Sequence, residues 1–366
     1  MRSIKIIAIN SFIFFCLIVV AELIFGTWIF KINQLSLSGV PRDVSYVYHQ
    51  DLNSSKKTEI IYKRDKYGLR GGKTFNKPSE ISILTVGGST TDLRYMNLNE
   101  TWPQLLESKL NTHKIANAGV DGQSTYGHIE SFKKWFCHIP NFNPEYIIFY
   151  IGVNDLGINS REKPSRKWDI IKSKPIIQKW VDLIKNNSAI YSLFRKFFGL
   201  IEAKKMGIGH KKINFKNTAY YTDSVSNPYI DYYSKYIIPS FSKRIDMLIK
   251  MCEEIGSEPI FISQPSYYYK YSNNEWLGVD KKTYVSKDYY FNGTDVLKII
   301  NLQYNAITKC CEKKNYTAIN LSHSKDWKDE DFYDYFHMTY KGCIRLSEKI
   351  YKALKVKLMK NKTHNF

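Results

Sequence analysis

EYIIFYIGVND, residues 145–155, decides the fold. Between Tyr146 and Ile151, β-branched and aromatic side chains follow one another with no polar alternation. A strand of that composition is covered on both faces, the condition of a parallel sheet held between layers of helices. The run then stops on Gly152-Val153-Asn154-Asp155, small and polar residues. The carboxyl ends of such strands are where an open α/β sheet presents its ligands.

Four more runs of the same kind flank this one: ISILTVGG at 81–88, HKIANAGV at 113–120, EPIFISQ at 258–264 and YTAINL at 316–321. Helical stretches separate them, TWPQLLESKL at 101–110, YGHIESFKKWFCHI at 126–139, SKRIDMLIKMCEEIG at 242–256, one near 294–313 and a last one from about 339 to 358. Five such units predict a doubly wound α/β domain over 81–358. Ahead of it, 32–80 is a polar approach segment whose YKRDKYGLRGG stretch (62–72) is expected to cover one edge. Two stretches break the alternation. Residues 156–240 contain IIQKWVDLIKNNSAIYSLFRKFFGLIEAKK, one or two amphipathic helices too long for a plain connection, and read as an inserted lid or membrane-facing cap. Residues 266–292 are rich in Tyr, Asn, Lys and Asp and read as a long loop whose aromatics, such as PSYYYKYSNNEW, suit either sugar stacking or ordinary packing.

The N-terminus has its own character. From Ile6 to Phe30 the only charge is Glu22. That length suits a membrane span, and apolar residues continue well past the small residues at which a signal peptide is cut. Residues 1–31 are therefore expected to be an uncleaved signal anchor. Arg2 and Lys5 precede the apolar span, which favours a cytoplasmic N-terminus and an extracytoplasmic domain, periplasmic or at the cell surface.

The formal charge of +20 invites a nucleic-acid partner. The positive residues are mostly Lys and scattered, in a chain also rich in Asn, Ile, Tyr and Phe, and no zinc-finger, RNP-like or recognition-helix pattern accompanies them. No nucleic acid is expected. The densest stretch, KALKVKLMKNK at 352–362, reads as a solvated helix face running into a basic tail at 359–366. The six cysteines show no CxxC, and with Cys16 in the apolar segment an odd number remains, so buried free thiols are expected rather than a disulfide framework or a zinc site. Neither HExxH nor HxxxH occurs, and neither a metal nor a cofactor is expected. VGGSTT at 86–91 has neither the GxxxxGK[ST] of a P-loop nor the GxGxxG of a dinucleotide site.

The strand ends collect one set of groups. The first strand ends in Gly87-Gly88-Ser89-Thr90, the second runs into Asn117-Ala118-Gly119-Val120-Asp121-Gly122, and the third ends at Asn154. After the last strand comes Asp334-Tyr335-Phe336-His337. Acyl transfer needs such parts. A serine hydroxyl needs a base, for which His337 qualifies, and a carboxylate three residues away at Asp334 can fix the imidazole tautomer. The oxyanion needs preset donors, for which the Ser89 N–H, the Gly122 N–H and the Asn154 side-chain amide are candidates. His323 is the nearby rival for the base, though LSHS after a strand reads as polar loop, His128 reads as helix packing or surface, and Asp155 as structural.

With these motifs in order, the chain resembles the SGNH (GDSL-like) hydrolase superfamily over about residues 81–358. GGST (87–90) is similar to its first block, with Gly88 where GDS-type members have Asp. NAGVDG (117–122) is similar to the second, GVND (152–155) to the third and Asp334-x-x-His337 to the last, while a fourth block is not evident. The resemblance implies a flavodoxin-like α/β/α sandwich. It also implies Ser89 as nucleophile, His337 as base, Asp334 as its orienter, and Gly122 with Asn154 in the oxyanion hole. With the anchor, it implies a membrane-bound esterase acting on O-acyl groups of envelope carbohydrate or another ester. An O-acetyltransferase or a non-catalytic glycan-binding relative is the alternative.

Overall fold

Tyr146–Ile151 forms a strand, β5, with all six residues buried. The computed structural model describes residues 2–26, 28, 40–49, 59–71, 75–156, 180, 184, 187–191, 193, 212–222, 228–279, 283–286 and 289–360. Parallel neighbours flank β5. On one side β3 (Ile83–Gly87) sets Ile83 against Tyr146 and Gly87 against Tyr150. On the other β7 (Glu258–Ser263) sets Glu258 against Tyr146 and Ser263 against Ile151. β4 (Ile115–Asn117) pairs with the outer side of β3 and β12 (Thr317–Asn320) with that of β7. The sheet order is β12-β7-β5-β3-β4, all parallel. Numbered by their place in the chain these strands run 5-4-3-1-2, the flavodoxin-like winding, whose direction reverses between β3 and β5.

Alternation along β5 feeds two cores. Tyr146, Ile148 and Tyr150 join Ile83, Ile115 and Ile260 beneath helices α3 (Trp102–Leu110) and α8 (Tyr340–Lys360), which supply Trp102, Leu106, Leu346 and Ile350. Ile147, Phe149 and Ile151 join Leu84 and Phe261 beneath α4 (Thr125–Lys134) and α6 (Ile238–Glu254). On α6 the buried Phe241, Ile245, Leu248, Ile249 and Cys252 recur at the spacing of one helix face. Helix α7 (Gly293–Glu312), opened by an Asn292–Asp295 capping box, gives its first half to one core and its second to the other. The result is the three-layer α/β/α sandwich.

Element ends shift by a few residues from the sequence reading, and two differences go further. The expected loop at 266–292 contains a hairpin, β8 (Tyr269–Ser272) with β9 (Glu275–Val279), and β6 (Tyr220–Tyr221) pairs with β9. The hairpin turns on Asn273 and Asn274, both at positive φ (51° and 65°), the two-residue turn that matches strand twist. A second pair, β10 (Thr283–Ser286) with β11 (Tyr289–Phe291), follows it. The approach segment likewise holds an antiparallel hairpin, β1 (Val44–His49) with β2 (Glu59–Arg64). Most of the inserted stretch 156–240 lies outside the described residues. Its end is helical and runs from α5 (Pro228–Tyr232) through a π-turn at Tyr233–Ile237 into α6, which therefore begins ahead of 242.

The N-terminal helix α1 (Arg2–Phe25) is long and apolar enough, over Lys5–Phe25, to cross a bilayer, and no residue of that window is buried. All six cysteines are free thiols, with Cys252, Cys310, Cys311 and Cys343 buried. On α8, Leu354 and Leu358 face inward while Lys352 and Lys355 are exposed; residues 361–366 of the basic tail lie outside the described set.

Of the two readings of His128 on α4, packing or surface, the structure shows packing, with only 1% of its surface exposed. Burial drags its imidazole down to about 3 from an ordinary 6.5. The unfolded chain therefore takes up a proton, from about 6.5 downward, that the folded chain refuses until about 3. Stability contributed by the neutral ring is complete above that window and lost as pH falls through it. Urea unfolding across this range is expected to show a midpoint that drops with acid, and a His128→Gln variant a flatter acid limb. Parallel limbs in the two proteins would show that His128 does not carry the effect.

Candidate active site

Ser89 opens a single helical turn, α2 (Ser89–Asp92), immediately beyond β3. A four-residue helix has no stability of its own, so its surroundings must hold it. They do so from several sides. The Trp102 indole donates to the Thr90 carbonyl at 3.1 Å and the Asn117 amide to the Thr91 carbonyl at 2.6 Å. Gln264, one residue past β7, donates to the Thr90 hydroxyl and accepts from the Val153 amide at 2.8 Å. The Arg70 guanidinium, fully buried, donates to the Asp92 carbonyl and to the Leu93 carbonyl at 3.1 Å.

The side chain closing the turn is fixed just as firmly. Asp92 is buried, and its Oδ1 accepts from Arg64 Nη2 at 2.7 Å and from the Tyr62 hydroxyl at 2.9 Å. Arg64 and Tyr62 both lie on β2, so the approach segment forms the floor under Ser89 instead of only covering an edge. Burial acts first on the Tyr62 phenol and keeps it above its ordinary value, neutral and able to donate.

Beside Ser89 lies His337. Its Nε2 is 2.7 Å from Ser89 Oγ. Its Nδ1 is 2.8 Å from Asp334 Oδ2 and 3.0 Å from Oδ1. A carboxylate only accepts, so Nδ1 carries the proton and Nε2 offers its lone pair to the serine hydroxyl. Asp334 is held in turn by the backbone amides of Phe336 at 2.9 Å and His337 at 2.8 Å. The Tyr333 ring lies parallel to the imidazole at 5.5 Å between centroids. Burial, then the neighbouring Asp334 charge, hold that phenol well above its ordinary value, so a neutral ring backs the imidazole.

Asn154 sits on the 3-10 turn Val153–Asp155 just past β5, the strand next to β3. Its Nδ2 donates one hydrogen to the Gln123 carbonyl at 2.8 Å. Gly88 makes room for this amide, since a Cβ there would collide with Asn154 Nδ2. Gly122 lies in the turn closed by the Gln123 amide on the Val120 carbonyl, with φ of 74° in the left-handed region. Asp155 is structural, as read. Its carboxylate accepts from the Thr125 hydroxyl at 2.5 Å at the start of α4 and pairs with Arg244 at 3.4 Å.

His323 stands apart from Ser89. It bonds to Asn320 and Ser322 at the end of β12 and lies edge-on to Trp276, and burial lowers its imidazole below the ordinary value. Among the described residues no cluster of three His, Cys, Asp or Glu side chains is placed to hold a metal. The structure thus brings Ser89, His337 and Asp334 into one line and puts Asn154 and the Gly122 turn at the neighbouring strand ends. Sequence reasoning missed Gln264, signalled only by a polar residue ending an apolar strand, and the Tyr62–Arg64–Arg70–Asp92 cluster, whose members come from separate segments.

No family model matches the chain, and no curated protein matches it. Solved structures do. The chain is similar to a GDSL-like lipase from Bacteroides thetaiotaomicron, at 13% identity and a TM-score of 0.38, covering 77% of this chain and 91% of that one. It is similar to a member of the lipolytic G-D-S-L family from Veillonella parvula, at 14% identity and a TM-score of 0.40, covering 75% and 97%. It is also similar to a variant of an acetyl-xylooligosaccharide esterase from Geobacillus, at 10% identity and a TM-score of 0.38, covering 74% and 92%. These likenesses are too distant to carry an argument about activity, which rests on the side chains above.

Removing the Asp92 carboxylate leaves a buried guanidinium without its counter-charge. Asp92→Ala is expected to cost about 3–5 kcal/mol in denaturant unfolding. A loss below about 0.5 kcal/mol would place the variant with ordinary surface changes and show that Asp92 does not hold the turn.

Proposed function

We propose that this chain is a serine esterase of the SGNH (GDSL-like) type, anchored in a membrane by residues 1–31. The observation that carries the proposal is the unbroken hydrogen-bonded line from Ser89 Oγ through His337 to the Asp334 carboxylate. In this mechanism His337 Nε2 takes the hydroxyl proton as Ser89 Oγ attacks the acyl carbonyl. Asp334 holds the ring in the required tautomer and stabilises the imidazolium. The negative charge on the tetrahedral oxygen is met by the Ser89 and Gly122 backbone N–H groups and the Asn154 amide. His337 then protonates the departing alcohol, leaving an acyl-serine. A second acceptor, deprotonated by the same imidazole, attacks the acyl carbon and frees Ser89.

The acceptor separates the two enzymatic outcomes. Water gives an esterase, and a sugar hydroxyl gives an O-acetyltransferase with the same Ser89, His337 and Asp334. The proposed substrate is an O-acyl group on envelope carbohydrate. Its support is the anchor, the orientation suggested by Arg2 and Lys5, and the aromatic hairpin at 269–279 beside the site. There Tyr268 stacks on Tyr335 at 4.0 Å, two residues from His337.

The detergent-solubilised full chain should hydrolyse p-nitrophenyl acetate. Ser89→Ala and His337→Ala should each lose on the order of 10⁴–10⁶ of kcat with circular dichroism unchanged. Asp334→Asn should lose on the order of 10⁴. Activity surviving both single alanine variants, or none in folded wild type, would turn the reading toward a glycan-binding protein. Asn154→Ala is expected to lower kcat by about 10²–10³ with little change in KM, as the loss of an oxyanion donor requires.

A further inference from the structure

The one charge between Ile6 and Phe30 is fully engaged. Glu22 stands three residues before the end of α1, about 5 Å along its axis. Its carboxylate accepts from the Ser188 hydroxyl at 2.6 Å, the Ala189 amide at 3.0 Å, the Ile190 amide at 3.1 Å and the Trp28 indole at 2.7 Å. Ser188 is a non-helical residue ahead of the helical Ala189, Ile190 and Tyr191, and its Oγ accepts from the Tyr191 amide at 2.9 Å. Glu22 and Ser188 thus meet the first three amides of a helix start, groups that have no partner within their own helix. The backbones are also close, since a Cβ on Gly26 would stand 2.7 Å from the Asn187 carbonyl oxygen. Residues 187–190 of the inserted stretch are therefore docked on the end of the apolar helix.

The same stretch carries apolar side chains outward. Trp180 is 63% exposed, Ile184 52% and Leu193 73%. We infer that this docked element lies on the bilayer, with Trp180, Ile184 and Leu193 in contact with lipid at the outer end of the span. The inference rests on residues 1–31 being an anchor. Lipid is the occupant because no residue of the apolar Lys5–Phe25 window is buried in the rest of the chain, and a span so exposed must itself be sheathed in lipid. A segment pinned to its last turn is then held at the membrane surface. Tryptophan and branched aliphatic groups suit that interface. A carboxylate there is tolerable because each oxygen has donors.

The test uses the full chain in liposomes made with phospholipid brominated in the upper part of its acyl chains. Tryptophan emission should be quenched relative to unbrominated lipid, and Trp180→Phe should lose a distinct share of that quenching. In hydrogen exchange on the same liposomes, Glu22→Ala should speed the Ala189 and Ile190 amides about tenfold, with Glu22→Gln in between. Carbonate extraction separates the two ways of failing. If the chain stays in the pellet but Trp180→Phe is quenched like wild type, the lipid contact is wrong and the anchor stands. If the chain leaves the pellet, the anchor reading fails and the contact with it. Unchanged exchange in Glu22→Ala would overturn the docking itself.

Discussion

The Arg64–Asp92 ion pair is the constraint on which the site depends. A four-residue helix adopts whatever position its neighbours impose, and Ser89 goes where Asp92 is held. Because both partners are buried, the pair is costly to break and tolerates little adjustment. Arg70 adds a second clamp by occupying the carbonyls at the end of the turn, groups that would otherwise be buried without donors. The hairpin that supplies Tyr62 and Arg64 thus belongs to the site as much as the sheet does.

The winding of the sheet explains why the remaining groups meet there. Strand order reverses between β3 and β5, so the connections leaving those two strands diverge to opposite faces and leave a crevice. Ser89 sits at one lip and Asn154 at the other. Gln264, at the end of the next strand, bonds to both lips and fixes the width of the opening. Asp334 and His337 approach from the loop after β12, where a bridge between Phe332 and Met338 narrows that loop around them.

Much of this was legible in the sequence because the deciding signals are local. A run such as Tyr146–Ile151 has only one comfortable environment, and residues closing successive strands share an edge whatever the loops do. Ser89 and Asn154 could therefore be picked from strand ends, whereas Asp334 and His337, well past the last strand, stood out as an Asp-x-x-His pair. The Asn273-Asn274 turn was equally local but was obscured by the polar composition around it. The Tyr62–Arg64–Arg70–Asp92 cluster was not legible, because it joins segments about thirty residues apart through charges that read individually as surface. Glu22 stands out in the sequence as a lone charge, yet its partners at 188–190 lie more than 160 residues away.

Ser89 and His337 are separated by 248 positions. The sheet that brings them together is wholly parallel, a topology whose contacts are long-range and slow to form. β12 pairs only with β7, at one edge, and the loop bearing Asp334 and His337 follows it. The serine is thus made early and its partner near the end, so a chain still emerging from the ribosome has the Ser89 hydroxyl without the His337 imidazole beside it. Any premature stop or unfinished fold keeps it so. The hydrogen bond between Ser89 and His337 thus reports that the last strand has paired and its loop has arrived.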